Sequence, residues 1–218
     1  MKQYLFNKIL HRRLILIAFL PTLLGACGGE AEKTENTTTG STSGLFEDFE
    51  DNNISDWTES IPGALTYTFE AGATGAGSSL RISGNASVHP DGIEKVLTNT
   101  NPTYISFHVK NVTTALAGGY FFLTNGPNLG IDDGIYFMMK NNGFMGPFNN
   151  WTYAYTANTW YFVEFKNIDF VNFTFDYYVD GVLQNSAVPF RYPISSFTNL
   201  YLYNYETTSS WFDDIDIQ

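Results

Sequence analysis

The sequence predicts an all-β fold, an antiparallel two-sheet sandwich, on three observations. From Leu45 onward, short runs alternate apolar and polar residues with a period of two, the mark of a strand with one buried face. Turn dipeptides separate the runs. The residue mix leans on Phe, Tyr, Thr, Asn and Gly, which suit pleated, half-buried strands, and no long segment repeats apolar residues at the helical interval.

In chain order the runs are Leu65–Phe69, Ser79–Ser83, Tyr104–Val109, Gly119–Leu123, Ile135–Met139, Trp160–Phe165, Phe173–Val179, Leu200–Tyr203 and Trp211–Ile217. Asn125-Gly126-Pro127, Asp133-Gly134, Asn142-Gly143 and Asp180-Gly181 are the turn signals between them. The 174 residues from Leu45 to Gln218 suffice for one domain with a substantial core, and they contain no internal repeat.

The N-terminus has a different composition. Lys2, Lys8, Arg12 and Arg13 precede the apolar run Leu14–Leu20, continued after Pro21 to Leu24, and no acidic residue occurs before Glu30. This is a signal-peptide layout, and the run falls short of the ~20 residues a membrane span needs. Residues 28–44 hold no apolar residue larger than Ala, so they bury too little to fold and read as a tether with a span of roughly 20–25 Å.

Leu23-Leu24-Gly25-Ala26-Cys27 resembles the bacterial lipobox, in which small residues precede a cysteine that is cleaved and diacylated. The resemblance implies a signal peptide over 1–26, lipidation at Cys27, a lipidated tether over 27–44 and a β-sandwich domain over 45–218. Acyl chains contribute ~0.8 kcal/mol per buried CH₂, so the lipid alone holds the chain at a membrane. Gly28 after the cysteine implies the outer membrane, within a cell envelope. Cys27 is the sole cysteine, which rules out an intrachain disulfide.

Cleavage before Cys27 removes four of the eleven basic residues and none of the 22 acidic ones, leaving seven against 22, a net charge of −15. Nucleic acid and anionic lipid are bound through clustered Lys and Arg, so neither is expected as a partner. Nucleophilic chemistry is poorly supplied too. The mature chain keeps only His89 and His108, lacks Gly-x-Ser-x-Gly, and has its one thiol at the lipidation position.

Three stretches resemble the concanavalin A-like lectin/glucanase jelly roll, the group that includes laminin-G-like domains and many carbohydrate-binding modules. They are Asn158–Phe165 around Trp160, the hairpin Tyr177-Tyr178-Val179-Asp180-Gly181-Val182-Leu183, and the closing Trp211-Phe212-Asp213-Asp214-Ile215-Asp216-Ile217. Phe49-Glu50 followed by Trp57 is similar to the opening segment that pairs with the last strand. The resemblance implies a structural calcium ion held by Glu50 and Asp213, an ion that takes six to eight oxygen ligands. Alternation places Asp213 on one face with Trp211, Ile215 and Ile217, where its charge needs a cation or several donors. A solvated acidic edge is the alternative.

Glucanases of this group carry Glu-x-Asp-x-Glu strings, and none occurs here. The expectation is therefore a non-catalytic binding module for glycans. Sugar faces stack on flat rings while amides meet hydroxyls, and the densest such stretch is Asn149, Asn150, Trp151, Tyr153 and Tyr155, with the three rings expected on one strand face. Tyr201, Tyr203 and Tyr205 form a second ladder of the same spacing, and cross-strand packing explains such ladders equally well. The alternative function is a structural or protein-interaction lipoprotein with an envelope protein as partner; a glycan hydrolase or lyase has less support.

Overall fold

The structure, a computed structural model, describes residues 44–84, 92–126 and 130–218. The signal peptide, Cys27, the tether as far as residue 43, His89 and Pro127 lie outside the described residues. Those described form fifteen strands and no helix: β1 (Leu45–Glu47), β2 (Thr58–Glu59), β3 (Thr66–Ala71), β4 (Ser78–Gly84), β5 (Ile93–Val96), β6 (Tyr104–Asn111), β7 (Gly118–Thr124), β8 (Asp133–Met139), β9 (Phe144–Pro147), β10 (Tyr153–Ala154), β11 (Tyr161–Asp169), β12 (Thr174–Val179), β13 (Val182–Pro189), β14 (Asn199–Tyr203) and β15 (Thr208–Ile217). Each of the nine runs read from alternation becomes a strand, shifted by at most a few residues.

The strands build two antiparallel sheets, the jelly-roll sandwich expected from the sequence. The first sheet runs β13-β12-β11-β6-β15-β4-β3, with β1 also on β15. The second runs β10-β9-β8-β7-β14-β5-β2. β4 pairs with the first half of β15 and β1 with its last three residues, Leu45 opposite Ile217, so the two ends of the domain meet.

Between the sheets lies an aromatic core. Phe107 of the first sheet stacks on Phe121 of the second, with centroids 4.0 Å apart and planes 4° from parallel. Phe137 and Phe165 meet Phe107 edge-on at 5.4 and 5.9 Å. Phe170, Phe190 and Phe197 make a second ring cluster towards the loops before β12 and β14.

Of three local expectations, two are corrected and one holds. Asp133-Gly134 is the start of β8 and not a turn, because Arg191 and Tyr192 donate their backbone N–H groups to its carbonyls and hold it extended. Asp180-Gly181 does form a tight hairpin turn, both residues having positive φ (50° and 75°), as a two-residue loop of that handedness requires. In β15 the register against β6 shifts between Asp213 and Asp216, and Asp214 has φ 47°. That bulge reverses the alternation. Asp213 therefore lies with Trp211 opposite the outward His108 and Lys110, while Ile215 and Ile217 turn inward. Its burial comes from the β3–β4 loop and not from the core.

Candidate functional site

The outward face of the second sheet carries a continuous set of aromatic rings. Phe121 and Leu123 point into the core, so Tyr120 and Phe122 point away from it. Tyr203 and Tyr201 stand opposite them on β14, and Tyr136 stands opposite Phe122 on β8. Tyr120 stacks on Tyr203 at 4.7 Å, and Phe122 meets Tyr136 edge-on at 4.0 Å. The centre of the face is closed: Tyr120, Phe122, Tyr201 and Tyr203 are each 3% exposed or less. Burial raises the pKa of the three hydroxyls, those of Tyr120, Tyr201 and Tyr203, with Tyr201 pushed further up by the carboxylate of Glu94.

Toward β9 the surface opens. Phe148 packs on Tyr136 at 5.7 Å and meets Trp151 edge-on at 5.6 Å, and all three rings are half-buried. The guanidinium of Arg191 lies 4.6 Å from the Phe148 ring and 5.0 Å from that of Tyr136. Its Nη1 also binds Asp133 Oδ2 at 2.7 Å, and burial raises the pKa of that carboxyl despite the bond. Lys140 follows Tyr136 and Met138 on the same outward series, its ammonium 4.1 Å from the Trp151 centroid. Tyr136 OH contacts Met138 Sδ at 3.2 Å, and its pKa is pushed up to about 12 by burial.

The five residues singled out in this stretch do not share one face. Trp151 joins the open strip, with Asn149 exposed beside it in a positive-φ turn (61°) and Asn150 Nδ2 donating to the Phe148 carbonyl at 3.3 Å. Thr152 N bonds back to the Asn150 carbonyl, which breaks the strand between Trp151 and Tyr153. Tyr153 pairs with the inward Met145 and packs on Tyr161. Tyr155 is 5% exposed and its hydroxyl donates toward the Lys140 carbonyl at 2.8 Å. The Tyr155 ring is closed to a ligand, while Tyr153 is half-buried and turned to Tyr161, away from the Trp151 strip. Tyr201 and Tyr203 are cross-strand packing, and Tyr205 is exposed beyond the end of β14. The alternation Tyr136, Met138, Lys140 was readable as an outward series; Arg191 sits in a loop that no periodicity marks.

A second cluster joins the two ends of the domain. Asp213 is 4% exposed; its Oδ2 accepts from Ala73 N at 2.7 Å and its Oδ1 from Asp214 N at 2.9 Å. Glu50 Oε1 accepts from Ser78 N at 3.0 Å, and Glu50 is close enough to raise the Asp213 pKa. The β3–β4 loop reaches both, burying Asp213 and leaving Glu50 exposed. A Cβ on Gly72 would lie 2.5 Å from the Ala76 carbonyl oxygen and 2.9 Å from Asp213 Oδ2, and one on Gly77 (φ 72°) would collide with the Glu50 carboxylate. Asp213 Oδ2 and the Ala76 carbonyl oxygen thus face Gly72 and the Glu50 carboxylate faces Gly77, oxygen donors of the type a calcium ion takes. Among the described residues no three acidic or histidine side chains form a metal cluster, so carbonyl oxygens would complete the shell.

Desolvation raises the Asp213 pKa from 3.8 to about 6. In calcium-free protein the folded state then holds a proton that the unfolded chain has released between these values, so unfolding free energy falls as pH rises through that window. Added calcium, which needs the ionised carboxylate, is expected to raise the melting temperature most above pH ~6. Melting curves against pH, with chelator or with calcium, check this. No calcium effect at neutral pH in the wild type would remove the ion.

No protein-family model matches the sequence, and no curated protein matches it. Solved structures share its fold. A sialidase aligns with TM-score 0.61 at 12% identity over 81% of this chain, which spans 18% of that one. Cellulose induced protein Cip1 aligns with TM-score 0.54 at 15% identity, over 80% of this chain and 96% of that one. The alginate lyase Aly36B, solved in complex with alginate trisaccharide, aligns with TM-score 0.54 at 11% identity, over 81% and 98%.

Proposed function

We propose that this chain is a lipid-anchored cell-envelope protein whose β-sandwich binds glycan without cleaving it. The observation that carries the proposal is the half-open strip Tyr136–Phe148–Trp151 on the outward face of the second sheet, edged by Asn149, Lys140 and Arg191. Flat rings take the C–H faces of sugars, and the amide and cationic groups meet their oxygens. A sandwich fold shared with a lyase that holds a trisaccharide supports the reading as analogy of fold.

The buried carboxylates support a binding role over a hydrolytic one. Asp133 is tied to Arg191, Glu164 accepts from Tyr104 OH at 3.1 Å and pairs with Lys166 at 2.8 Å, and Asp213 is held by two backbone N–H groups. Each is committed to a structural partner, whereas hydrolysis needs a pair free to act on one bond. The lipid on Cys27 and the tether would hold the domain off the outer membrane, and a calcium ion on Glu50, Asp213 and the β3–β4 loop would lock the two chain ends together.

A glycan array with the full chain tests the reading. Binding is expected, and Trp151→Ala should weaken it about tenfold or more, the order of one lost ring contact with its buried area. Binding unchanged by Trp151→Ala would move the site elsewhere. Absence of any glycan binding, with capture of a defined envelope protein, would favour the interaction role.

A further inference from the structure

This inference rests on the glycan reading and concerns the chemical class of the glycan. The strip is edged by positive charge on a chain that is otherwise strongly acidic, with 22 acidic residues against 11 basic ones. Most described cations away from it are neutralised: Arg81 by Glu70, Lys95 by Asp56 and Lys166 by Glu164. Lys110 lies between the Trp160 and Trp211 rings on the outward face of the first sheet. The remaining two described cations stand at opposite ends of the strip, Lys140 without an ion pair and Arg191 paired with Asp133 through Nη1.

Lys140 has no carboxylate within ion-pair distance among the described residues; its ammonium rests on Trp151. Arg191 commits Nη1 to Asp133, and a guanidinium has five N–H donors. The indole Nε1–H of Trp151, beside Lys140, is enclosed and lacks an acceptor, a costly state for a donor. One end of the strip therefore offers an unpaired ammonium resting on the Trp151 ring, and the other a planar guanidinium over two rings.

The two ends are separated by the run from Tyr136 to Lys140, about 13 Å at the rise of an extended strand. That spacing suits a polymer bearing an acidic group on more than one sugar. The net charge of the chain repels such a polyanion at a distance, but salt screens this within ~8–10 Å, and contact pairs are screened less. Local cations then decide binding.

We infer that the ligand is an acidic polysaccharide of the uronic-acid class, its carboxylates set on Lys140 and Arg191 and its sugar rings on Phe148 and Trp151. Isothermal titration of the full chain with tetragalacturonate and with cellotetraose, a neutral chain of equal length, tests this. Tetragalacturonate is expected to bind about tenfold tighter, and Lys140→Gln to remove about that preference by weakening tetragalacturonate far more than cellotetraose. Lys140→Arg should restore it. Lys140 is neither buried nor ion-paired, so the variant keeps the fold. Equal affinity for both sugars, or a preference untouched by Lys140→Gln, would overturn the assignment of charge and leave the glycan reading standing. A full glycan array without any binding would overturn that reading itself.

Discussion

Phe107→Ala is expected to lower the unfolding free energy by about 4 kcal/mol, the range for a fully buried phenylalanine truncated to alanine. Phe107 is 0% exposed at the midpoint of β6, where it bridges the sheets by stacking on Phe121 and receives the edges of Phe137 and Phe165. Truncation removes the ring's transfer free energy and leaves a cavity walled by rigid rings that cannot collapse into it. For a domain of this size each kcal/mol shifts the melting temperature by about 2–4 °C, so a drop of about 10 °C is expected. Urea unfolding at constant m-value measures it. A loss below ~1 kcal/mol would show that the ring cluster is not the centre of the core.

Asn204→Ala is expected to cost about 3 kcal/mol by a different route. Asn204 is fully buried just after β14, and its side chain ties the two sheets together. Nδ2 donates to the Ile82 carbonyl of β4 at 2.6 Å, and Oδ1 accepts from Gly119 N of β7 at 3.1 Å. Ser210 Oγ of β15 reaches the same oxygen at 2.9 Å. Alanine strands a buried carbonyl and a buried N–H, each worth about 1–3 kcal/mol when unsatisfied. Ser210→Ala alone costs less, because Oγ is shared with Asn111 Oδ1 at 3.1 Å. The double mutant is expected to be more stable than the sum of the single losses predicts, since both remove one interaction. Strict additivity would show that the two side chains act independently.

How much of this was legible beforehand differs from element to element. The nine long runs could be read because a strand with one buried face writes its alternation into the chain. The short partners β2, β5, β9 and β10, and the edge strand β13, could not. Two to four residues carry no measurable period, and β13 is largely exposed with a bulged register, so neither of its faces has a consistent apolar set. Asp180-Gly181 announced its hairpin because both residues must take positive φ; Asp133-Gly134 has the same letters and is held extended by a distant loop.

The candidate site divides in the same way. Alternation through Trp151, Tyr153 and Tyr155 placed three rings together, yet one backbone turn at Asn150–Thr152 separates Trp151 from the other two, and only Tyr155 is buried. A single bulge at Asp214 likewise reversed the face expected of Asp213.

From sequence alone came the all-β class, the main strands and the acidic balance, because each depends on local period or on composition, while the pairing of the first and last segments was implied by the family resemblance. Tertiary structure alone decided which rings remain open, which carboxylates are committed to partners, and that Lys140 and Arg191 bound one strip. Those properties depend on groups from β8, the β9–β10 loop and the loop after β13 meeting in space, and no local pattern records such a meeting.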